Sequence, residues 1–423
     1  MRIWMINHYA CSSAQVGGNR HVSLAGELVR RGHSVNLFAS SFNHSTRTSC
    51  TANRRGRVWW EEFSGVEIGW LRTPPYFDNS FGRVRNELVF AWRLLQLPRY
   101  CNTRPDIIYA ATPSLFAALA SLVVARRLGL PFVLEVRDIW PQTIIDMGMS
   151  RFHPFAMLAA AIEGYLYRHA DAITTLMPNA APHLVAHGAA HERIYWIPNG
   201  VNFGLVVSIR PAEQKKVLDV MYAGAYAGGN DPSALLDAAA ELKRRGGATV
   251  RFRFVGMGVG EAAMMAKAKA LGLDNVRFEP SVPKSMVYTL LSEADILVAP
   301  VKYLPVHRFG VSGNKVLDYM AVARPVIHAV RAPNHDVREA GCGIECAPHP
   351  EALAEAITTL AAMSPQQRWE LGLRGRRYVE QNYDFARIAV KLEEALKSAL
   401  DGRKTLRVPS ASVEPCPDSQ AVE

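Results

Sequence analysis

The 423-residue sequence predicts an α/β protein made of two successive Rossmann-like halves. Short apolar runs of strand length alternate with amphipathic stretches of helix length. The alternation breaks at Pro198-Asn199-Gly200-Val201-Asn202 and Arg210-Pro211, then restarts at Leu218. The chain is also too long for one ordinary core, so two to three domains are expected.

The first half begins with a buried strand, Arg2 to Asn7, a loop holding Gly17-Gly18, and a helix from Arg20 to Arg31 closed by Gly32. Ser34 to Ala39 is the second strand, completing a βαβ unit. The loop lacks GxGxxG, so a dinucleotide fingerprint is not supported; Gly-Gly admits either a ligand or a plain flexible turn. Residues 43 to 57 are polar and read as an exposed loop. Phe81 to Arg99 reads as a helix with Val84, Leu88, Trp92 and Leu95 at helical spacing and Arg83, Arg85 and Arg93 alongside. Such a basic amphipathic helix packs on a sheet or lies on an anionic membrane. Strands follow at Asp106 to Ala110, Phe132 to Val136, Asp171 to Thr175 and Arg193 to Ile197, with helices at Ser114 to Leu128, Phe155 to His169 and Ala181 to His187. Arg137-Asp138-Ile-Trp140-Pro141 stands at the carboxyl end of a strand, where open α/β sheets place ligands; the alternative is an Arg-Asp ion pair beside a packing Trp.

In the second half Leu218 to Ala223 is a strand, and Gly224 to Pro232 a glycine-rich turn. Asp231 is the N-cap and Pro232 the first residue of a helix to about Arg245. Val250 to Val255 ends in Gly256-Met-Gly258-Val-Gly260, for which a tight turn is a safer reading than a phosphate loop. Further helices are Glu261 to Leu271, Ser285 to Ser292, Pro350 to Ala362, Pro365 to Asn382 and Phe385 to Leu400; strands are Val276 to Glu279, Asp295 to Ala299 and Pro325 to Val330. Residues 402 to 423 are polar, carry three prolines and are expected to be disordered.

The stretch from Ala299 to Ala329 stands out. It holds Lys302, His307 and Arg308, then Gly310-Val-Ser312-Gly-Asn314-Lys315-Val-Leu-Asp318-Tyr-Met320-Ala321. Ser312 is the expected N-cap of a helix to Ala321, with Val316, Leu317, Met320 and Ala321 facing the core. Asn314, Lys315 and Asp318 share another face. A helix start bearing a cation and a carboxylate after a glycine loop suits a phosphate and a sugar diol; a βα turn with a solvated polar face fits as well.

Apolar content of 49% and charged content of 20% are those of a globular protein, and the net charge of +10 favours anionic partners: phosphates, nucleic acid or an acidic membrane surface. Six cysteines at 11, 50, 101, 342, 346 and 416 include no CxxC pair, so neither a disulfide framework nor a zinc site is suggested. No signal peptide is expected at the N-terminus, and the longest apolar run, Leu115 to Ala125, is too short to span a bilayer.

Four motifs in order carry a family resemblance: Gly17-Gly18 with Arg20-His21 and Arg31-Gly32-His33; Arg137-Asp138-Ile-Trp140-Pro141; Ile197-Pro198-Asn199-Gly200-Val201-Asn202; and Gly310 to Ala321. With them the chain resembles glycosyltransferase family 4, retaining enzymes of the GT-B fold, and within it the fucosamine-type branch that transfers N-acetylated amino sugars in bacterial surface-polysaccharide synthesis. The resemblance implies two facing Rossmann-like domains with a deep cleft: residues 1–203, on the acceptor side and joined by helix 385–400, and residues 204–384, binding the nucleotide sugar.

It also implies site roles. Gly17 and Gly18 would lie against the donor diphosphate or sugar. Arg137 and Asp138 would face the transferred sugar. Val282 and Pro283 would meet the uracil. Asp318 stands where the family has a glutamate for the ribose hydroxyls. Asn199, Gly224, Ser312 and Asn314 fall within the matching motifs and loops. Three departures stand out: Ala225 and Asn230 replace an Arg and a Lys, and Gly310 replaces the first Glu of EX7E. Lys315 is then the expected cation for the leaving diphosphate, with Lys302 and Arg308 behind it.

The resemblance implies transfer of a hexosyl group from a UDP-sugar to a polyprenyl-diphosphate-linked glycan, in the cytoplasm at the inner membrane face. No cofactor is expected, and no metal, since Asp-x-Asp is absent. Nucleic acid is not an expected partner. A UDP-sugar epimerase on the same scaffold and an inactive partner subunit are the alternatives.

Overall fold

The computed structural model describes residues 1–11, 20–44, 46–50, 56–77, 81–206, 209, 211, 215–226, 228–247 and 249–402. Gly17, Gly18 and the tail from 403 onward lie outside them. The chain forms two compact units, Met1–Pro198 with the segment from Phe385, and Asn199–Asp384.

The first unit is built on an eight-stranded sheet. Its order is Ile194–Trp196, Ala172–Thr175, Phe132–Val136, Ile107–Ala111, Arg2–Ile6, Ser34–Ser40, Val66–Leu71 and Val58–Phe63. All neighbours are parallel except the last pair. The strands at its centre are buried on both faces and therefore read as unbroken apolar runs. The edge hairpin 58–71 escapes the sequence reading because Glu61 and Glu62 interrupt its alternation. Within the expected polar loop 43–57, Phe42–Asn43 pairs with Thr48–Ser49.

The returning helix Phe385–Asp401 belongs to this unit. Ile388, Leu392 and Leu396 are fully buried in one core with Leu24, Ala25 and Leu28 of helix Arg20–Arg30. Each such side chain contributes about 1.5–3 kcal/mol relative to exposure. Glu393 fixes the register by pairing with Arg31 and, at 3.3 Å, with His33.

The second unit holds six parallel strands in the order Val276–Glu279, Val250–Val255, Leu218–Ala223, Ile296–Pro300, Val326–Ala329 and Gly343–Cys346. Two of its helices start where the sequence suggests. Pro232 follows the Asp231 N-cap, and Ser364 closes a capping box with Gln367 ahead of Pro365–Asn382. The short helices Gln142–Asp146 and Asp336–Ala340 carry too few turns to show periodicity, and the sequence reading misses both.

The division between units falls five residues before the expected 203/204 boundary, because Val201 N donates to Tyr383 O at 2.8 Å and Val201 and Phe203 pack in the second unit's core. No described helix is long and apolar enough to cross a membrane.

Candidate active site

In each sheet the strand order reverses once, and a doubly wound sheet opens a crevice at the carboxyl ends flanking that reversal. In the second unit the reversal lies between Leu218–Ala223 and Ile296–Pro300. Three predicted residues meet there. Lys315 Nζ donates to Asn230 Oδ1 and sits 5.5 Å from the centre of the Tyr222 ring. Its stem crosses Gly224, where any Cβ would lie 2.0 Å from Lys315 Cε. Asn230 itself bridges to Val301 at the end of the neighbouring strand.

The loop after Val250–Val255 presses onto this place. A Cβ on Gly256 would fall 2.0 Å from Gly224 O, and one on Gly260 would fall 2.6 Å from Tyr226 O. The three-glycine run therefore exists to let two loops pack backbone against backbone, with Tyr226 N donating to Met257 O at 3.0 Å. Tyr319 ties the Lys315 helix to the same strand end: its hydroxyl accepts from Ala223 N at 2.8 Å and donates to Ala223 O at 3.0 Å.

Burial pulls the Lys315 ammonium down to a pKa of about 8, with Asp318 opposing. A bound diphosphate favours the charged form, so its affinity depends on that proton. UDP affinity is expected to fall as pH rises through about 8, by at most about tenfold per pH unit for one proton. Titration calorimetry between pH 7 and 9.5 reads this, and Lys315→Met is expected to flatten the profile.

The helix begins at Asn314 with Gly313 as N-cap, one residue later than expected. Ser312 is not the cap, because loop 198–200 claims its oxygens. Its Oγ accepts from Asn199 N at 3.2 Å, and its carbonyl accepts from Asn199 Nδ2 at 2.6 Å. Asn199 Oδ1 is buried without a hydrogen-bond partner among the described residues. Gly310 has φ +102°, a conformation that disfavours the family's glutamate, so glycine suits this backbone.

Lys302 and Arg308 are exposed, and Arg308 stacks on Phe309 and donates to Pro305 O. Asn314 is exposed as well. Val282 and Pro283 lead into helix Lys284–Ser292, one turn of which carries two residues that the sequence reading overlooks. Lys284 Nζ donates to Asp318 Oδ2 at 2.5 Å, and Tyr288 OH to Asp318 Oδ1 at 2.7 Å. A ribose diol would meet a buried Lys–Asp–Tyr group rather than a lone carboxylate. Both carboxylate oxygens retain a further lone pair.

In the first unit the reversal lies between Arg2–Ile6 and Ile107–Ala111. Beside it, Phe132–Val136 buries Glu135 completely. Arg20 Nε approaches Glu135 Oε1 at 3.3 Å, His21 Nε2 approaches it at 3.3 Å, and Tyr109 OH donates to the other oxygen. Burial opposes ionisation, but the Arg20 guanidinium, with His21 and Arg137, holds Glu135 well below the usual carboxylate range. Arg20 continues to the carbonyls of Ile197 and Pro198, which pins that motif. Arg137 turns toward Glu135 at 3.9 Å rather than forming the alternative pair with Asp138, which is exposed. Glu135 was detectable in the sequence: a glutamate inside Phe-Val-Leu-Glu-Val must be paired when buried.

Residues 17–200 match the family of glycosyl transferase 4-like domains, and residues 218–363 match glycosyl transferases group 1. The chain belongs to the glycosyltransferases. The transferase is 23% identical over 287 residues, 56% of its chain and 69% of the relative, to the protein described as a colanic acid biosynthesis glycosyl transferase, WcaI, of Escherichia coli (strain K12). Among solved structures it shares the two-domain GT-B fold with a sucrose-phosphate synthase from Thermosynechococcus elongatus (TM-score 0.75, 16% identity, 95% of this chain and 100% of that one). It shares that fold with WaaG, a glycosyltransferase involved in lipopolysaccharide biosynthesis (0.67, 17%, 93% and 99%). Anabaena HepE in complex with UDP and glucose is similar too (0.66, 17%, 94% and 99%).

Proposed function

We propose that the transferase moves a hexosyl group, an N-acetylated amino or deoxy sugar, from a UDP-sugar to a polyprenyl-diphosphate-linked glycan, with retention, at the inner face of the membrane during surface-polysaccharide assembly. The observation that carries the reading is Lys315, held half-buried over Gly224 at the second unit's strand reversal. The names of WcaI and WaaG support an envelope-polysaccharide role, and the HepE complex supports UDP as the nucleotide.

In the reaction the bond from the anomeric carbon to the diphosphate oxygen breaks while one to the acceptor oxygen forms on the same face. The acceptor proton passes to the leaving phosphate oxygen, so no separate base is required. Negative charge grows on the diphosphate, where Lys315 and the amides of the first turn of Asn314–Ala321 oppose it. Asp318, ordered by Lys284 and Tyr288, takes the ribose. Val282 and Pro283 take the base, and Asn199, Ser312 and Gly310 shape the adjoining loop. Arg137 and Asp138 orient the sugar undergoing transfer.

The test is a mass-spectrometric screen of UDP-sugars with a lipid-diphosphate glycan. The expected result is an acceptor heavier by one sugar residue with one UDP released. A free epimer without any acceptor product, or no product from any UDP-sugar, would overturn the reading.

A further inference from the structure

The first unit contains an apolar cavity of about 400 Å³ that plays no part in the donor chemistry. It lies between helices Phe81–Leu94, Leu115–Leu128 and Pro154–His169, and Val84, Leu115, Phe116, Trp140, Phe155 and Ile162 form most of its wall. That volume is within the range of small-ligand sites. The cavity has a defined inner end. Pro113 follows Thr112 at the carboxyl end of a strand beside the sheet reversal, and Trp140 stands two residues beyond Asp138.

The elements around it also carry exposed apolar side chains. Phe81 is 79% exposed, Trp92 61%, Phe152 70% and Leu158, itself part of the wall, 50%. On Phe81–Leu94 the exposed Phe81, Leu88 and Trp92 recur at helical spacing. Single exposed apolar residues need no explanation, but Leu158 is both part of the wall and half exposed, so the cavity reaches solvent along an apolar edge.

A cation stands at the inner end: Arg137, whose backbone N–H donates to Thr112 Oγ1 at 2.9 Å beside Pro113 of the wall. Arg83 lines the cavity from helix Phe81–Leu94. Glu87 is the helix's acidic residue and already pairs with Arg83 at 3.3 Å. A ligand with a flexible branched hydrocarbon chain and an anionic head fits: the chain in the cavity, the head at the strand ends near Arg137. We propose that this cavity receives the first isoprene units of a prenyl diphosphate, which makes it the acceptor-lipid subsite. The proposal rests on the lipid-linked acceptor of the proposed function and adds where its hydrocarbon goes.

The test is equilibrium binding of farnesyl diphosphate, inorganic diphosphate and phosphatidylglycerol vesicles, followed by the fluorescence of Trp140 and checked with Trp140→Phe. Farnesyl diphosphate is expected to bind at least tenfold more tightly than inorganic diphosphate. Leu158→Glu, at a half-exposed position that tolerates a charge, is expected to erase that difference while UDP binding stays as in the unsubstituted protein. Equal affinity for the two diphosphates would overturn the proposal, as would an unaffected Leu158→Glu variant. Vesicle binding without a prenyl preference would also overturn it, marking a bilayer-docking face instead. Farnesyl binding without UDP binding would leave this subsite standing and remove the donor reading; UDP binding without a farnesyl preference would do the reverse.

Discussion

Lys315→Ala is expected to lower turnover by about 10²–10³-fold, the usual cost of deleting one preorganised charge from a site where an anion develops. The ammonium stands at the strand reversal, Asn230 Oδ1 accepts a hydrogen bond from it, and the Tyr222 ring faces it at 5.5 Å. Gly224 leaves the space that its stem occupies, since a Cβ there would lie 2.0 Å from Lys315 Cε. Ala225 and Asn230 stand in the adjoining loop, and neither brings a second cation to it. Asn230 instead serves as an acceptor that aims the one present. Alanine is a strong helix former, and Tyr319 still ties the helix to Ala223, so the fold is retained. Both kcat and kcat/KM are expected to fall together, since the interaction strengthens as charge builds. A variant within a few-fold of normal turnover would remove Lys315 from the role.

The second large effect is on stability. Glu135→Ala is expected to destabilise the first unit by about 3–5 kcal/mol, the cost of removing one partner of a buried charge network. Arg20 and His21 would keep their places with no carboxylate between them, and the Tyr109 hydroxyl would lose its acceptor. Glu135→Gln preserves the shape and an acceptor but still leaves Arg20 uncompensated, so it should fall between the two. Two units need not unfold together, so the first transition in a urea titration is the one to follow. Because the folded carboxyl is held below its ordinary range, its contribution is fully present at neutral pH and is lost as pH falls from the ordinary carboxylate range through that low value. An alanine variant within 0.5 kcal/mol of the original, roughly the scatter of surface changes, would mean the network is not structural.

Much of the fold was legible in the chain because buried parallel strands announce themselves as apolar runs. Phe132–Val136, Leu218–Ala223, Val250–Val255 and Val276–Glu279 fall at the residues the sequence suggests. The edge hairpin 58–71 was not, since its exposed face carries glutamates and tryptophans without clean alternation. The candidate site was half legible. Motif position points to Lys315, Asn230 and Gly224, and they do converge. Ser312 was assigned as an N-cap because serine before a helix favours that role, but a tertiary partner, Asn199, outcompeted the local amides. Lys284 and Tyr288 carry no local mark, because their role comes from a carboxylate some thirty residues further on.

The central claim is that the donor diphosphate is held at the second unit's strand reversal by Lys315. Calorimetric titration of UDP at pH 7 into the original protein, Lys315→Ala and Arg137→Ala tests it most directly. One UDP per chain is expected, its affinity weakened at least tenfold by Lys315→Ala and little changed by Arg137→Ala. Equal UDP affinity in the original and Lys315→Ala proteins, or a loss confined to Arg137→Ala, would contradict it.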